Sequence, residues 1–140
     1  MSRTARRKAE NRVRSPIPQR KRFLFVCVNR RPDGTPKGSC AARGAVEIHA
    51  RLKELLKKRG LAELEVRACT SSCLDVCWAG PSIAVEPDHF VYGRVREEDV
   101  EAIVDGLVSG ERVERLVLAA RDFEMPRELR EQEMAGKKPV

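Results

Sequence analysis

The chain has no run of eighteen apolar residues and no hydrophobic segment in its first twenty, so neither a membrane span nor a secretory signal is supported. The pair Arg6-Arg7 lacks the apolar stretch that a twin-arginine signal needs. Catalytic equipment is missing as well. There is no Cys-x2-Cys of the thioredoxin type, no convincing Ser or Cys partner for a His, and no Gly-rich phosphate loop. Internal repeats and low-complexity tracts are absent too, which leaves 140 residues to form one domain of ordinary size with loose ends.

Charge is present but unevenly spread. Residues 1–22 hold nine basic side chains against Glu10, a balance of +8, so with a net charge of +7 the remaining 118 residues sum to −1. Only this arm has the charge density to attract phosphates or acidic protein surfaces at range. The body is not, by charge, a nucleic-acid binder, and nucleic acid is expected to meet the chain only nonspecifically, through residues 1–22. Residues 1–21 are polar, carry Pro16 and Pro18, and have too few apolar side chains to offset the entropy of ordering them. They are expected to form a disordered basic arm.

Cysteine is what the chain does have. Three of five lie in the stretch Cys69-Thr-Ser-Ser-Cys73-Leu-Asp-Val-Cys77-Trp-Ala-Gly-Pro81, and the other two, Cys27 and Cys40, stand upstream with twelve residues between them. Free Cys is often simply buried, but core packing does not require cysteines bunched in a loop that ends in Gly-Pro. Clustered thiols without an export signal point to a reducing compartment, the cytoplasm, and to metal or redox work.

The apolar pattern places these cysteines on elements. Arg22–Val28 is a nearly continuous apolar run rich in β-formers, the pattern of a central strand covered on both faces, with Cys27 near its end. Two Pro and two Gly make residues 29–39 a loop. From Ser39 a helix is predicted, because Ala42, Ala45, Val46, His49, Leu52, Leu55 and Leu56 recur at three- and four-residue steps before Gly60. Cys40 then falls in its first turn, where free N–H groups and the helix dipole favour a thiolate. Leu64–Cys69 alternates like an edge strand, with Cys69 on the polar face. Ser82–Glu86 and Phe90–Val95 flank Pro87-Asp-His89 as a hairpin, and Glu97–Ser109 is a second amphipathic helix stopped by Gly110. Arg115–Leu118 reads as a further short strand and residues 119–140 as a mobile tail. The predicted order is β-α-β-β-β-α.

Four thiolates can hold a [2Fe-2S] cluster or a zinc ion. Structural zinc usually takes each pair from a knuckle of two to four intervening residues, so the twelve-residue gap fits zinc poorly, while the gap of three fits either. Three functions follow from the sulfurs: an electron carrier, a four-cysteine zinc module that binds nucleic acid through the arm, or a thiol-disulfide oxidoreductase using Cys69, Cys73 or Cys77.

Several motifs together carry a resemblance. Phe25-Val-Cys-Val, Arg31-Pro, Gly38-Ser-Cys40-Ala and Arg43-Gly, then Cys73-x3-Cys77, Gly80-Pro81, Pro87-Asp88, Tyr92-Gly93 and Glu98-Asp-Val100, are similar to the thioredoxin-like [2Fe-2S] ferredoxins over Phe23 to Leu118. A related pattern with a shorter first gap occurs in the flavin-side iron-sulfur subunits of respiratory complex I. The resemblance implies an α/β, thioredoxin-like fold, a four-stranded mixed sheet with two main helices, over residues 22–118. It also implies a one-electron carrier rather than an enzyme, a homodimer, a cis bond before Pro81, and ligation by Cys27, Cys40, Cys73 and Cys77. Cys69 also stands three residues before Cys73, but the family places Gly-Pro just after the second cysteine of its pair, which leaves Cys69 as a packing thiol. His49 is expected to be a partly buried helix residue and His89 a turn residue. Trp78 either packs or joins a docking patch. Arg30, Arg31 and Lys37 in the long loop are placed to offset the cluster's charge and to meet an acidic redox partner.

Overall fold

The computed structural model describes residues 20–136. Most of the basic arm therefore lies outside the described residues. Four strands form one mixed sheet in the order β2-β1-β3-β4: β1 (Arg22–Cys27), β2 (Val66–Ser71), β3 (Ile83–Glu86) and β4 (Phe90–Tyr92). β1 pairs parallel with β2 and antiparallel with β3, and β3 pairs antiparallel with β4. A parallel pair needs a crossover, and α1 (Ala45–Lys58) supplies it. The second helix, α2 (Val100–Ser109), packs against α1.

Leu24 and Val26 of β1, Ile83 and Val85 of β3, and Ala45, Ile48, Leu52 and Leu56 of α1 form one buried core with Val100, Ile103 and Val104 of α2. Leu52 is fully buried, so truncating it to Ala costs about 2–5 kcal/mol. The helix begins later than the periodicity suggests. Gly44 takes φ +94° and breaks the rise, so a single 3-10 turn, Ala41–Arg43, stands between Cys40 and α1. The core face consequently runs through Ala45 and Ile48, while Ala42 and Val46 are exposed.

The central strand is covered on one face only. Phe23 and Phe25, at alternate positions, are half-buried with ring centroids 6.3 Å apart. In register with Phe25 lie Cys69 of β2 and Ala84 of β3, and Val91 of β4 pairs with Ala84, so all four share the half-open face.

Arg115–Leu118 is not a strand. Glu114–Leu116 is a 3-10 turn, and Val117 makes an isolated bridge to Tyr92. The segment still covers the outer edge of β4: Leu118 N–H donates to the Val91 carbonyl (2.9 Å), Gly93 N–H to Leu116 (2.8 Å) and Val113 N–H to the Tyr92 hydroxyl (3.0 Å). Where a mobile tail is expected, residues 120–123 form a 3-10 turn and α3 spans Arg127–Gly136. Among the described residues no helix is long and apolar enough to cross a membrane.

Candidate metal centre

Two loops bring the sulfurs together at one end of the sheet. Cys27 closes β1, and its N–H donates to the Ser82 carbonyl at 3.1 Å. Cys40 follows the long loop and is held by its own carbonyl, which accepts from the Arg43 and Ala45 N–H groups. Both cysteines are fully buried, and the Cys40 sulfur lies 3.8 Å from the Ser82 hydroxyl. Burial pushes the Cys40 thiol up to about 11, and the neighbouring Cys27 adds to the effect.

Cys73 and Cys77 form a second, shallower pair with sulfurs 3.2 Å apart. Asp75 adopts φ +64°, an uncommon conformation for a residue with a side chain, and its N–H points at the Cys73 sulfur from 3.2 Å. The Arg31 guanidinium reaches in from the long loop, donating to the Cys77 sulfur (2.8 Å), the Cys73 sulfur (3.4 Å) and the Gly38 carbonyl (3.1 Å). For Cys73, burial pushes the thiol up, but hydrogen bonds from Cys77, the Asp75 N–H and Arg31 outweigh it and hold the thiol below its ordinary range. Burial pushes the Cys77 thiol up against the opposing Arg31 bond.

Gly80 locks the two loops together. A Cβ there would stand 2.5 Å from the Cys40 sulfur and 3.3 Å from the Cys77 carbonyl, so only glycine lets the second loop approach the first pair. The Gly80–Pro81 bond is cis, as expected, and so is Glu86–Pro87. Arg43 adds a clasp, donating to the carbonyls of Cys77 and Lys37.

The four sulfurs thus stand as two pairs on adjoining loops, and among the described residues no three Cys, His, Asp or Glu side chains converge as a closed metal site. A single tetrahedral ion needs all four sulfurs about one point. A two-iron cluster takes its thiolates as two pairs, so the donor set and its pairing fit [2Fe-2S] better than zinc. Cys69 stands apart from them, within β2 and opposite Phe25.

The histidines are structural. The His49 ring lies 3.2 Å from the Ala68 carbonyl, and His89, at φ +64° in the hairpin turn, pairs with Glu86 at 2.7 Å. Trp78 donates its indole N–H to the Asp122 carbonyl at 2.8 Å, and Lys37 pairs with Glu133 at 3.4 Å. Four contributors were not foreseen: the Asp75 N–H, Arg43, Ser82 and the close approach at Gly80. Gly80 and Arg43 carry a signal in the sequence, Gly80 in the Gly-Pro that follows Cys77 and Arg43 in the Arg-Gly that follows Cys40.

No family profile matches the chain. A ferredoxin, 2Fe-2S, from Aquifex aeolicus (strain VF5) is 39% identical over 99 residues, covering 70% of this chain and 89% of that protein. A ferredoxin, 2Fe-2S, from Clostridium pasteurianum is 37% identical over 97 residues, covering 69% and 94%. The crystal structure of a thioredoxin-like [2Fe-2S] ferredoxin from Aquifex aeolicus superposes with a TM-score of 0.68 at 39% identity, covering 70% of this chain and 96% of that one.

Proposed function

The chain belongs to the thioredoxin-like [2Fe-2S] ferredoxins, and from that premise we propose that Cys27, Cys40, Cys73 and Cys77 are the ligands of its cluster. It is an iron-sulfur electron carrier, not an enzyme. The observation that carries the ligand assignment is the approach of Gly80 to the Cys40 sulfur, which sets the Cys73/Cys77 loop against the Cys27/Cys40 pair.

When bound, the cluster supplies a one-electron couple. The chain's residues do the rest. Cys27 and Cys40 anchor the buried side, where packing by Ser82 and Gly80 excludes water. Cys77 is buried beside them, and Cys73, half-buried, is the proposed ligand most open to solvent. The Asp75 N–H orients the Cys73 sulfur, and such hydrogen bonds stabilise a thiolate ligand. No substrate pocket is required.

Of the loop cations Arg30, Arg31 and Lys37, Arg31 turns inward to the sulfurs and Lys37 pairs with Glu133, which leaves the exposed Arg30 as the one that attracts a partner with an acidic face. The half-open sheet face of Phe23, Phe25, Ala84 and Val91 supports a homodimer, because a second copy placed there buries aromatic surface that water otherwise meets. Cysteine usage favours the cytoplasm. Residues 22–118 are the ferredoxin body, with the arm and tail as appendages.

Replacing each cysteine by Ser and measuring iron and acid-labile sulfide tests the assignment. Loss is expected at positions 27, 40, 73 and 77 and retention in Cys69→Ser. Full retention in Cys73→Ser, or loss in Cys69→Ser with the fold intact, counts against it.

A further inference from the structure

We propose that Arg31 is the positioning residue that sets the reduction potential of this ferredoxin, by bridging the Cys73 and Cys77 sulfurs with one guanidinium; this rests on those two cysteines being ligands.

Arg31 is half-buried, and its donors are directed inward. Nη1 serves both the Cys77 sulfur and the Gly38 carbonyl, and Nη2 serves the Cys73 sulfur. The carbonyl fixes the plane of the fork, and the fork then meets both sulfurs. A guanidinium is flat, permanently charged and weakly hydrated, so it tolerates this site better than an ammonium does.

Other cations of these loops are turned elsewhere: Arg30 is exposed, Lys37 pairs with Glu133, and Arg43 is bonded to the Cys77 and Lys37 carbonyls. Among the described residues Arg31 has no carboxylate partner, and the sulfurs act as its counter-ion.

The electronic consequence follows from charge. On reduction the loaded site gains one electron from a donor protein, which is oxidised by one, and the negative charge on the sulfurs rises. A fixed cation hydrogen-bonded to those sulfurs is held more tightly in the reduced state than in the oxidised one, which raises the potential. No proton accompanies the electron at this residue, because arginine stays charged in both states. Arg31 therefore acts through the ligands, and its contribution to the potential is independent of pH.

The test is a redox titration of the cluster-loaded full chain followed by visible spectroscopy, with iron and sulfide content measured in parallel. Arg31→Gln should favour the oxidised state by about tenfold, about 59 mV lower for one electron. Arg31→Lys keeps the charge but loses the fork, and should fall between wild type and Arg31→Gln. Arg30→Gln, an exposed neighbour, should leave the potential where it is. The interval between wild type and Arg31→Gln should be constant from about pH 6 to 9. An Arg31→Gln protein with full iron and sulfide and an unchanged potential overturns the proposal and leaves the ligand assignment standing. If Arg31→Gln fails to hold iron, Arg31→Lys decides, and a wild-type potential there overturns it equally. Retention of iron by Cys73→Ser would instead unseat the ligand assignment on which the fork depends.

Discussion

Gly80→Ala is the most economical perturbation of the centre, because it adds one carbon where the structure has no room. The backbone at Gly80, φ −79° and ψ 169°, suits any residue, so there is no conformational cost. The effect is therefore steric alone. The new Cβ would lie 2.5 Å from the Cys40 sulfur, about 1 Å inside an ordinary contact of about 3.5 Å. Cys40 is fully buried and cannot swing away, and the Cys77 carbonyl stands at 3.3 Å on another side. Overpacking of this kind costs about 1–3 kcal/mol. For a body of this size each kcal/mol lowers Tm by about 4–8 °C. Because the displaced atom is a proposed ligand, iron and sulfide should fall as well. Gly110→Ala is the matched control: φ is +82° with open space around it, so it should lose roughly 1–2 kcal/mol through the backbone and keep all its iron. The assay is thermal unfolding followed by circular dichroism, with iron and sulfide analysis of the same samples. A Gly80→Ala protein with wild-type iron and an unshifted Tm would refute the claim that the two loops are in contact here.

Asp99→Ala should destabilise the fold by about 1–2 kcal/mol at pH 7, since the carboxylate accepts from the Arg96 N–H and the Arg115 guanidinium. Burial opposes its ionisation, but those partners hold the carboxyl below the usual range, so its stabilisation is complete above about pH 4 and fades as pH falls through the depressed value. Urea unfolding of both proteins at neutral pH and near pH 3 should show the gap narrowing; a constant gap contradicts the sign. Phe25→Ser should shift the proposed homodimer toward monomer with iron content unchanged, as read by sedimentation velocity of wild type and variant; a monomeric wild type contradicts the dimer, and an unaltered dimer places the interface elsewhere. Deleting residues 1–21 should leave cluster and fold intact while slowing association with an acidic redox partner at low salt, an effect that vanishes as screening shortens to roughly 10 Å near 0.1 M salt. Equal rates at low salt would show that the arm recruits nothing.

What could be read from the sequence was what depends on local pattern. The run Arg22–Val28 gave β1, Pro87-Asp-His89 gave the hairpin, and Gly110 gave the end of α2. Periodicity cannot detect Gly44 in a left-handed conformation, so α1 starts at Ala45 rather than Ser39; Ala45, Leu52, Leu55 and Leu56 of the predicted face are buried, while Ile48 is buried where Ala42 and Val46 are expected. β1 looked covered on both faces because an apolar run reports hydrophobicity and not what lies over it. Arg115–Leu118 has the composition of a strand, yet it is too short and too near a 3-10 turn to build a ladder. At the centre, the cysteine spacing was informative since ligand chemistry constrains it. The hydrogen bonds to those sulfurs come from the Asp75 N–H and Arg31, and Arg43 holds the Cys77 carbonyl; their directions depend on tertiary packing.

The backbone pairing along the outer side of β4 has a consequence for how copies of this chain can associate. Residues 113–118 use up the groups that Val91 and Gly93 would otherwise offer to a neighbouring strand. Among the described residues β2 is the one remaining rim of the sheet with no strand or segment paired along it, and there His49 already lies against the Ala68 carbonyl. A fibre grown rim to rim requires two open rims per copy, and among the described residues this sheet has one. Pairing through β2 therefore stops at two molecules in a closed, symmetric unit, and strand-by-strand polymerisation ends there.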